Sequence, residues 1–422
     1  MKKSLEEYLI EIKNTKALKV NLSPYKLDYI PNEVFKFTWI EELYLGNCLK
    51  FKENEFEMGS PCKLKEIPTN ILHLKRLKRL SLNGGLFGSP KCEIEDFSIL
   101  GKLTSLESLY IGSSKLKDIS FIKTLTNLKD LQIGCTEIVD FQPLKDVSKL
   151  ESLGLSDHEL NDLSFLSKTT KLKAINLASN NLHSLSTLNQ NKDLERICVC
   201  YNKSVNLNEL ANNHRSLKDI CNTSGYTIEL IEPLVDLQRI VLSENITNKE
   251  ILRLNLHKDL KELTLSNVND KSIDVSGLTN LQELDLSGEF EEVIGLRRLL
   301  QLKKLKLSSD VLKKVDVPIN LKELAIMECK FDDLRRIKNI NNLDSLCLSV
   351  TEVTDLTPLK GANQLKSLDI QFNQITTIEP ILGLIKDGLE IEFDKTDVPV
   401  EVLYMYEEGK IDEIIDYYKM NN

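Results

Sequence analysis

Three cysteines come nearest to a chemical site in this sequence. Cys198 and Cys200 lie two residues apart, and Cys221 follows 21 residues after Cys200. Three thiols brought together could hold a soft metal ion or respond to oxidation. The spacing matches no zinc signature, no histidine is placed to complete a ligand set, and a pair of strands gives a poor disulfide geometry. We therefore interpret these cysteines as small strand residues and leave a redox role open.

Other catalytic groups are scattered. The five histidines form no dyad with a nucleophile, and they stand at His73, His158, His183, His214 and His257. No Ser/His/Asp grouping and no G-x-x-x-x-G-K-[ST] phosphate loop occurs in the sequence. The sequence therefore predicts no catalytic residue, no metal and no cofactor, and we expect a protein that is not an enzyme.

Leucines recur about every 22 residues from Leu106 onward. The template is LxxLxLxxNxL, as in LESLYIGSSKL (106–116), LKDLQIGCTEI (128–138) and LKSLDIQFNQI (365–375). Counting the first leucine as position 0, the Leu-x-Leu alternation predicts a short strand whose leucines face a core. Stacked copies predict a parallel sheet. Position +8 should hold a side chain that satisfies a tight turn, and Asn180, Asn202, Asn245 and Asn373 occupy it.

This template is that of a leucine-rich repeat. Later units such as LKDISFIKTLTNLKDLQI resemble the internalin and phosphatase-regulator class of these repeats. The resemblance implies an α/β leucine-rich-repeat solenoid, a curved horseshoe with a parallel β-sheet on its concave face. Solenoids of this kind need capped ends and present a binding surface, so helical N- and C-terminal caps are expected.

The repeats divide the chain into four predicted segments: an N-terminal cap with a degenerate first repeat from Leu18 (1–39), repeats with insertions (40–105), regular repeats (106–393) and a C-terminal helical cap (394–422). Ser4 and Glu7 form a capping-box pattern at the start of a helix. The tail is similar to the segment that closes the repeat domain of bacterial Roco-type GTPases. That resemblance implies a capping role for Pro399, Gly409, Ile415 and Tyr418, after a last repeat that starts at Leu389.

Side chains at positions +4 and +6 are expected to line the concave face. Most are small and uncharged, which suits close approach of a protein partner, although a surface that binds nothing also drifts toward serine and glycine. Exposed aromatic side chains are common interface anchors, and Tyr110 and Phe372 are the first choices. The predicted partner-binding residues are Tyr44, Tyr110, Gln132, Asn176, Tyr201, Asp285, Asp369, Gln371 and Phe372.

Two early repeats carry insertions, at 47–64 and 83–97. Both leave the strand at the same end, so they should stand side by side on one rim, where insertions often carry binding specificity. Phe51, Phe56 and Phe87 are the predicted partner-binding residues of this rim. The alternative is that both insertions are packed loops over the end of the core. Cys62 and Cys92 are positioned to meet.

Position +1 alternates in charge along consecutive repeats. The series runs Glu107, Lys129, Glu151, Lys173, Glu195, Lys218. Lateral neighbours on parallel strands are close enough to pair. We interpret the series as a structural ladder that fixes the register of the sheet.

Bulk properties limit the partner and the compartment. The net charge of −9 argues against nucleic acid. No run of 18 apolar residues and no signal peptide occurs, and the nine cysteines form no disulfide framework. We expect a cytoplasmic protein without a membrane partner, monomeric on its own, with export by a signal-independent route left open.

These features favour a non-enzymatic scaffold that binds a protein partner through the concave face and the N-terminal rim. Two alternatives stay open. One is a sensor or regulatory subunit of a multi-protein switch, with the NTPase or effector on a separate chain. The other is an exported effector that binds a host protein.

Overall fold

The computed structural model describes residues 3–46, 48–50, 55–57, 61–82, 92–112, 115–202, 205, 210, 213–222, 231–243 and 246–421. The chain forms two compact units, an N-terminal unit (Met1–Gly225) and a C-terminal unit (Tyr226–Asn422). Each unit is a stack of short parallel strands, and short 3-10 turns form much of the return path from one strand to the next. The two units are treated separately below.

The N-terminal unit begins with helix α1 (Leu5–Thr15). Its strands are β1 (Lys19–Asn21), β2 (Glu42–Tyr44), β3 (Cys48–Lys50), β4 (Glu55–Glu57), β5 (Arg79–Ser81), β6 (Ser108–Gly112), β7 (Asp130–Gly134), β8 (Ser152–Ser156), β9 (Ala174–Asn176), β10 (Arg196–Cys198) and β11 (Asp219–Asn222). β1, β2 and β5–β11 pair in this order, each parallel to the next. β3 and β4 form an antiparallel hairpin within the first insertion.

The C-terminal unit repeats this arrangement. Its strands are β12 (Arg239–Leu242), β13 (Glu262–Val268), β14 (Ser272–Asp274), β15 (Glu283–Gly288), β16 (Glu292–Ile294), β17 (Lys304–Ser308), β18 (Val315–Asp316), β19 (Glu323–Ile326), β20 (Ile337–Lys338), β21 (Ser345–Cys347), β22 (Ser367–Asp369) and β23 (Glu390–Glu392). β12, β13, β15, β17, β19, β21, β22 and β23 form the main parallel sheet. β14 pairs with β16, and β18 with β20, after the main strands.

The C-terminal unit also contains four helices in the part of the chain that the structure describes. They are α2 (Asn248–Arg253), α3 (Leu382–Lys386), α4 (Val400–Glu407) and α5 (Ile411–Asn421).

The leucine template determines the core. Leu131 and Leu153 face each other in the register of β7 and β8, and both are fully buried. The starting leucines Leu128 and Leu150 are buried beneath them. Burying a leucine side chain contributes about 1.5–3 kcal/mol. Each repeat therefore gains its stability by covering the apolar side of its neighbour.

The predicted asparagines at position +8 join neighbouring repeats. Nδ2 of Asn180 donates to the carbonyl of Leu155 in the preceding repeat at 2.8 Å and to that of Leu177 in its own repeat at 2.9 Å. Asn202 and Asn373 make the same pair of bonds. His158 occupies position +8 of its repeat and takes over this role, with Nε2 3.2 Å from the carbonyl of Ile133. Asn245 lies outside the described residues.

Aspartates stand at the start of several return segments, as Asp118 does in the unit LKDISFIKTLTNLKDLQI, and they have a local role. Oδ1 of Asp118 accepts the N–H of Ser120 at 2.7 Å, and Asp140 and Asp162 do the same two residues ahead. Each bond lies at the start of a 3-10 turn, whose first N–H groups have no partner within the turn. These aspartates therefore begin the return segments.

The register corrects the predicted starts of both terminal repeats by one residue. Val20 pairs with Leu43, which places Ala17 at position 0, and Leu18 is 49% exposed. At the other end, Ile391 pairs with Leu368, which makes Gly388 rather than Leu389 the starting residue. The terminal repeats lack a leucine at position 0, so the leucine template matches them best in the wrong frame.

The caps use tyrosine hydroxyl groups to satisfy terminal strands. The predicted capping box of α1 is present, and Tyr8 of α1 accepts the N–H of Asn21 at 3.1 Å. In the C-terminal unit, Tyr406 accepts the N–H of Ile391 at 2.9 Å and Tyr418 accepts that of Ile378 at 3.2 Å. Both terminal strands are thus tied to a helix.

The individual cap residues named from the Roco-type resemblance behave differently. Pro399 precedes α4, Gly409 (φ 72°) forms the turn between α4 and α5, and Tyr418 is buried. Ile415 is only half-buried, whereas Ile414 is fully buried. Ile414 lies four residues before Tyr418 and therefore on the same helix face. The resemblance of this cap to Roco-type proteins stays a prediction.

The charge ladder at position +1 is confirmed. Lys129 pairs with Glu107 at 2.8 Å, Lys173 with Glu151 at 3.1 Å, and Lys218 with Glu195 at 3.2 Å. All three pairs join adjacent repeats through the residue that directly precedes each strand. The pairs are largely exposed, and exposed pairs contribute little to stability.

Candidate binding surface

The open sheet face, formed by side chains at positions +2, +4 and +6, carries more charge than the sequence analysis predicted. Side chains in a strand alternate between faces, so position +2 lies on the same side as +4. Position +2 is charged in most repeats, with Glu42, Arg79, Asp130, Arg196, Asp219, Arg239, Glu262, Glu283, Lys304 and Glu323. The prediction of a smooth, uncharged surface was therefore wrong, because it omitted this row.

Tyr110 and Gln132 share the half-buried carboxylate of Asp130. The hydroxyl of Tyr110 donates to Oδ2 of Asp130 at 2.6 Å, and Nε2 of Gln132 donates to Oδ1 of Asp130 at 2.9 Å. Burial raises the pKa of the Asp130 carboxyl, and these two hydrogen bonds oppose that rise. Gly154 leaves room for the amide, since a Cβ there would lie 1.9 Å from Oε1 of Gln132. Polar networks of this kind rigidify a structure when every member is satisfied.

Tyr44 has a similar environment on β2. Its hydroxyl donates to Oε2 of Glu42 at 2.7 Å, Arg79 pairs with the same carboxylate at 3.2 Å, and the ammonium of Lys19 lies 5.2 Å from its ring centre. Tyr44 and Tyr110 are each 1% exposed. The expectation that these two rings stand exposed as anchors was therefore wrong, because charged neighbours at position +2 take up their hydroxyl groups.

Asn176 lies beside the three cysteines. It is half-buried and pairs in register with Cys198, and its Oδ1 accepts the N–H of Ala178 at 3.1 Å. Cys198 pairs in register with Cys221, and the sulfur atoms of Cys198 and Cys200 are 3.5 Å apart. The hydrogen bond with Cys198 raises the pKa of Cys200 to about 12, and contacts with both other thiols raise that of Cys221.

The open sheet face of the C-terminal unit contains a groove of about 350 Å³. Ion pairs cross it between neighbouring strands: Arg239 with Glu262 at 3.1 Å, and Lys304 with Glu283 at 3.2 Å. The predicted residue Asp285 lines this groove and pairs with Lys306 at 3.4 Å. Burial raises the pKa of Asp285, and Lys306 opposes that rise.

In each unit, the residues at position +7 form a second surface, which we call the turn edge of that unit. Many of them adopt a left-handed backbone, with φ between 51° and 66° at Cys135, Asp157, Ser179, Tyr201, Asn267, Glu328, Val350, Phe372 and Lys395. Three of these side chains are large, apolar and exposed: Tyr201 at 70%, Phe372 at 56% and Val350 at 47%. Bulky and β-branched residues rarely adopt this conformation. The prediction that Tyr201 and Phe372 stand exposed is confirmed, but their assignment to the concave face was wrong, because position +7 lies in the turn that follows the strand.

Asp369, Gln371 and Phe372 lie together in the last full repeat. Asp369 accepts the N–H of Gln371 at 3.0 Å and the thiol of Cys347 at 3.2 Å. Val350 donates its N–H to the carbonyl of Gln371 at 3.1 Å, so Val350 and Phe372 stand at the same edge of adjacent repeats. The neighbouring open sheet face is acidic and exposed at Glu390, Glu392 and Asp394. This arrangement places an apolar pair beside a negative surface.

Of the rim residues, Phe51 and Phe87 lie outside the described residues, and of Phe56 only the backbone in β4 is described. The ends of the two insertions do meet. The sulfur atoms of Cys62 and Cys92 are 3.5 Å apart and both side chains are buried, which confirms that these cysteines come together. The C-terminal ends of both insertions therefore belong to the core.

A cavity of about 820 Å³ in the N-terminal cap was not predicted. It lies between α1 and the segment 29–39, with Leu9, Ile10, Tyr29 and Trp39 among its lining residues. Ile10 and Tyr29 are more than half exposed. The sequence signal for this cavity was the set of apolar residues on α1, which the sequence analysis assigned only to capping.

Within the described ranges, no helix is long and apolar enough to cross a membrane.

No protein-family model and no curated protein matches this sequence. Among solved structures, a leucine-rich-repeat protein of Leptospira interrogans is similar over 93% of this chain and 99% of its own length, with 20% identity and a TM-score of 0.51. The internalin InlF of Listeria monocytogenes aligns over 78% of this chain and 83% of its own, with 22% identity and a TM-score of 0.42. InlJ of the same organism, described as including a cysteine ladder, aligns over 78% and 75%, with 20% identity and a TM-score of 0.47. The chain has the leucine-rich-repeat fold.

Proposed function

We propose that this protein is a non-enzymatic binding module, and that a protein partner contacts the turn edge and open sheet face of the C-terminal unit around Phe372. The observation that carries the proposal is the pair Val350 and Phe372. Both side chains expose apolar surface from a left-handed backbone that costs roughly 1–2 kcal/mol relative to a residue suited to it. The left-handed backbone itself recurs at position +7 in other repeats, so the particular feature of this site is a large apolar side chain on that backbone. Unfavourable local conformations concentrate at functional sites.

The surroundings of this pair indicate the chemistry of the partner. Glu390, Glu392 and Asp394 are exposed next to it, and Gln371 is half-buried. A partner segment with an apolar side chain and basic flanking residues would match both the apolar pair and the negative surface. Aromatic anchors at the centre of an interface provide much of the binding energy, and complementary charge provides specificity.

The test combines affinity purification with matched variants. The tagged full-length protein is isolated from its native cells and its companions are identified by mass spectrometry. Phe372→Asn and Val350→Asn should each lower the yield of a stoichiometric companion at least about tenfold. Asparagine tolerates the left-handed backbone, so the melting temperature of each variant should equal or exceed that of the wild-type protein. The gain in the free energy of unfolding should be at most about 1 kcal/mol.

Glu328→Asn is the matched control, because Glu328 is exposed and has the same left-handed backbone (φ 51°) at the same repeat position. It should retain the companion. A companion that survives Phe372→Asn and Val350→Asn would place the interface elsewhere, with the turn edge at Tyr201 and the cavity between α1 and 29–39 as the next surfaces to change. Absence of any companion from the wild-type protein would contradict the proposal itself.

A further inference from the structure

Three thiols converge on the open sheet face of the N-terminal unit. The sulfur atoms of Cys198, Cys200 and Cys221 all lie within 4.8 Å of one another. Cys198 and Cys221 occupy position +4 on the paired strands β10 and β11, and Cys200 follows at position +6. Cys200 is buried and the other two are half-buried. The sheet thus brings together residues whose sequence spacing matched no metal signature.

The sulfur spacing fits a three-coordinate ion. Metal–thiolate bonds of about 2.3 Å place three sulfur atoms in one plane about 4.0 Å apart around a central ion. The 3.5 Å between Cys198 and Cys200 and the 4.8 Å upper limit for the group lie on either side of that value. Small rotations of the side chains are therefore enough to close the site.

We propose that Cys198, Cys200 and Cys221 bind a soft metal ion, Cu(I), through three sulfur atoms. Thiolate donors select soft ions such as Cu(I). In the described part of the chain, no histidine, carboxylate or fourth cysteine joins the group. A structural zinc site takes four ligands, so three sulfur atoms alone favour the ion that accepts lower coordination. This assignment replaces the interpretation of these cysteines as small strand residues.

The surrounding residues support a defined site. Arg196 pairs with Asp219 at 2.9 Å from position +2 of the same two strands, so the strands that carry Cys198 and Cys221 are joined beside the thiols. Asn176 borders the cluster on the other side of Cys198. Cys198 and Cys221 lie on neighbouring strands, and ligands held on strands keep their geometry better than ligands on loops. Cys200 lies in the turn directly after β10.

The first test is a titration of the reduced full-length protein with Cu(I) under anaerobic conditions, in competition with a coloured Cu(I) chelator. The wild-type protein should keep one Cu(I) ion bound in competition with the chelator. The variants Cys198→Ser, Cys200→Ser and Cys221→Ser should each lose that ion to the chelator, because their affinity for it falls at least about 100-fold. Cys347→Ser is the matched control, since Cys347 is half-buried at position +4 of another repeat and contacts Asp369. The pair Cys62 and Cys92 is unchanged in every variant, so any ion it takes is a constant background.

The outcome that overturns the proposal is an unchanged number and affinity of Cu(I) ions in the three serine variants. A second measurement covers the case in which a variant does not fold. X-ray absorption of the wild-type protein loaded with one equivalent of Cu(I) should show three sulfur neighbours at about 2.3 Å. Two sulfur neighbours, or nitrogen and oxygen neighbours in their place, would exclude the three-thiol site.

Discussion

Arg196 and Asp219 in the N-terminal unit form an ion pair whose carboxylate side chain is only 5% exposed. Lys304 and Glu283 form the corresponding pair in the C-terminal unit, at the same position +2, with exposures of 50% and 46%. Position +2 thus serves stability where it is covered, and remains available to a partner where it is open. The tyrosines Tyr44 and Tyr110 at position +4 are buried, whereas Tyr201 and Phe372 at position +7 are exposed.

The comparison is tested most strongly by removing the cation from each pair. Arg196→Ala leaves the buried Asp219 carboxylate without its guanidinium, and we expect a loss of about 3 kcal/mol in the free energy of unfolding. Lys304→Ala removes the cation of an exposed pair and should cost less than about 1 kcal/mol. Chemical denaturation of both variants measures the difference. Equal losses in the two variants would show that burial does not make the first ion pair more important for stability than the second.

A smaller effect is expected from single hydroxyl groups. Tyr110→Phe removes the hydroxyl with which the buried Tyr110 ring bonds the half-buried Asp130 carboxylate, and we expect a loss of about 2 kcal/mol in the free energy of unfolding. The exposed Tyr201 serves as the control, and Tyr201→Phe should leave the unfolding curve unchanged. The result also bears on binding experiments, because a charged residue at Tyr110 would unfold the repeat rather than probe an interface. A silent Tyr110→Phe variant would contradict the buried network.

The smallest expected effect concerns a buried histidine. Neither ring nitrogen of His214 has a hydrogen-bond partner of good geometry among the described residues, and other repeats carry a buried leucine at the same position, as at Leu125 and Leu234. His214→Leu should therefore raise the free energy of unfolding by about 1 kcal/mol. A destabilised His214→Leu variant would show that the imidazole is satisfied after all.

Together with His158 and His257, His214 predicts that the stability of the fold depends on pH. Burial lowers the pKa of His158, His214 and His257 below the usual value of about 6.5. The unfolded chain then binds more protons than the folded one, so this stability is complete above about pH 6.5 and is lost as the pH falls below it. Melting curves between pH 8 and 5 should show the loss, and His214→Leu should reduce it. A melting temperature that is flat across this range would contradict the neutral, buried state of these side chains.

Much of the fold was predictable because the leucine alternation acts locally. Leu131 and Leu153 must face a core whatever the partner strand is, and Asn180 satisfies a turn within its own and the preceding repeat. The predicted starts of the two terminal repeats were wrong because Ala17 and Gly388 occupy the position of the starting leucine. The neighbouring Leu18 and Leu389 then match the template in the wrong frame.

The candidate surface was harder to predict because exposure depends on lateral neighbours. Nothing in the segment around Tyr110 reveals that Asp130, a full repeat later, takes its hydroxyl. The exposure of Phe372 could be predicted because position +7 directly precedes Asn373 in the turn, and that geometry recurs in other repeats. The clustering of Cys198, Cys200 and Cys221 was predictable, because Cys198 and Cys221 occupy position +4 of adjacent repeats and therefore pair in the register of β10 and β11.

The asparagine bonds between repeats have a consequence for biosynthesis. Asn180 reaches back 25 residues to Leu155, and Asn202 reaches back 25 residues to Leu177. Contacts of such short sequence separation form quickly. A chain emerging from the ribosome at about 5–20 residues per second can therefore dock each repeat within seconds of its synthesis, using only the repeat already folded before it. The order of translation is then also the order of assembly, and an unfinished chain leaves only its most recent repeat uncovered.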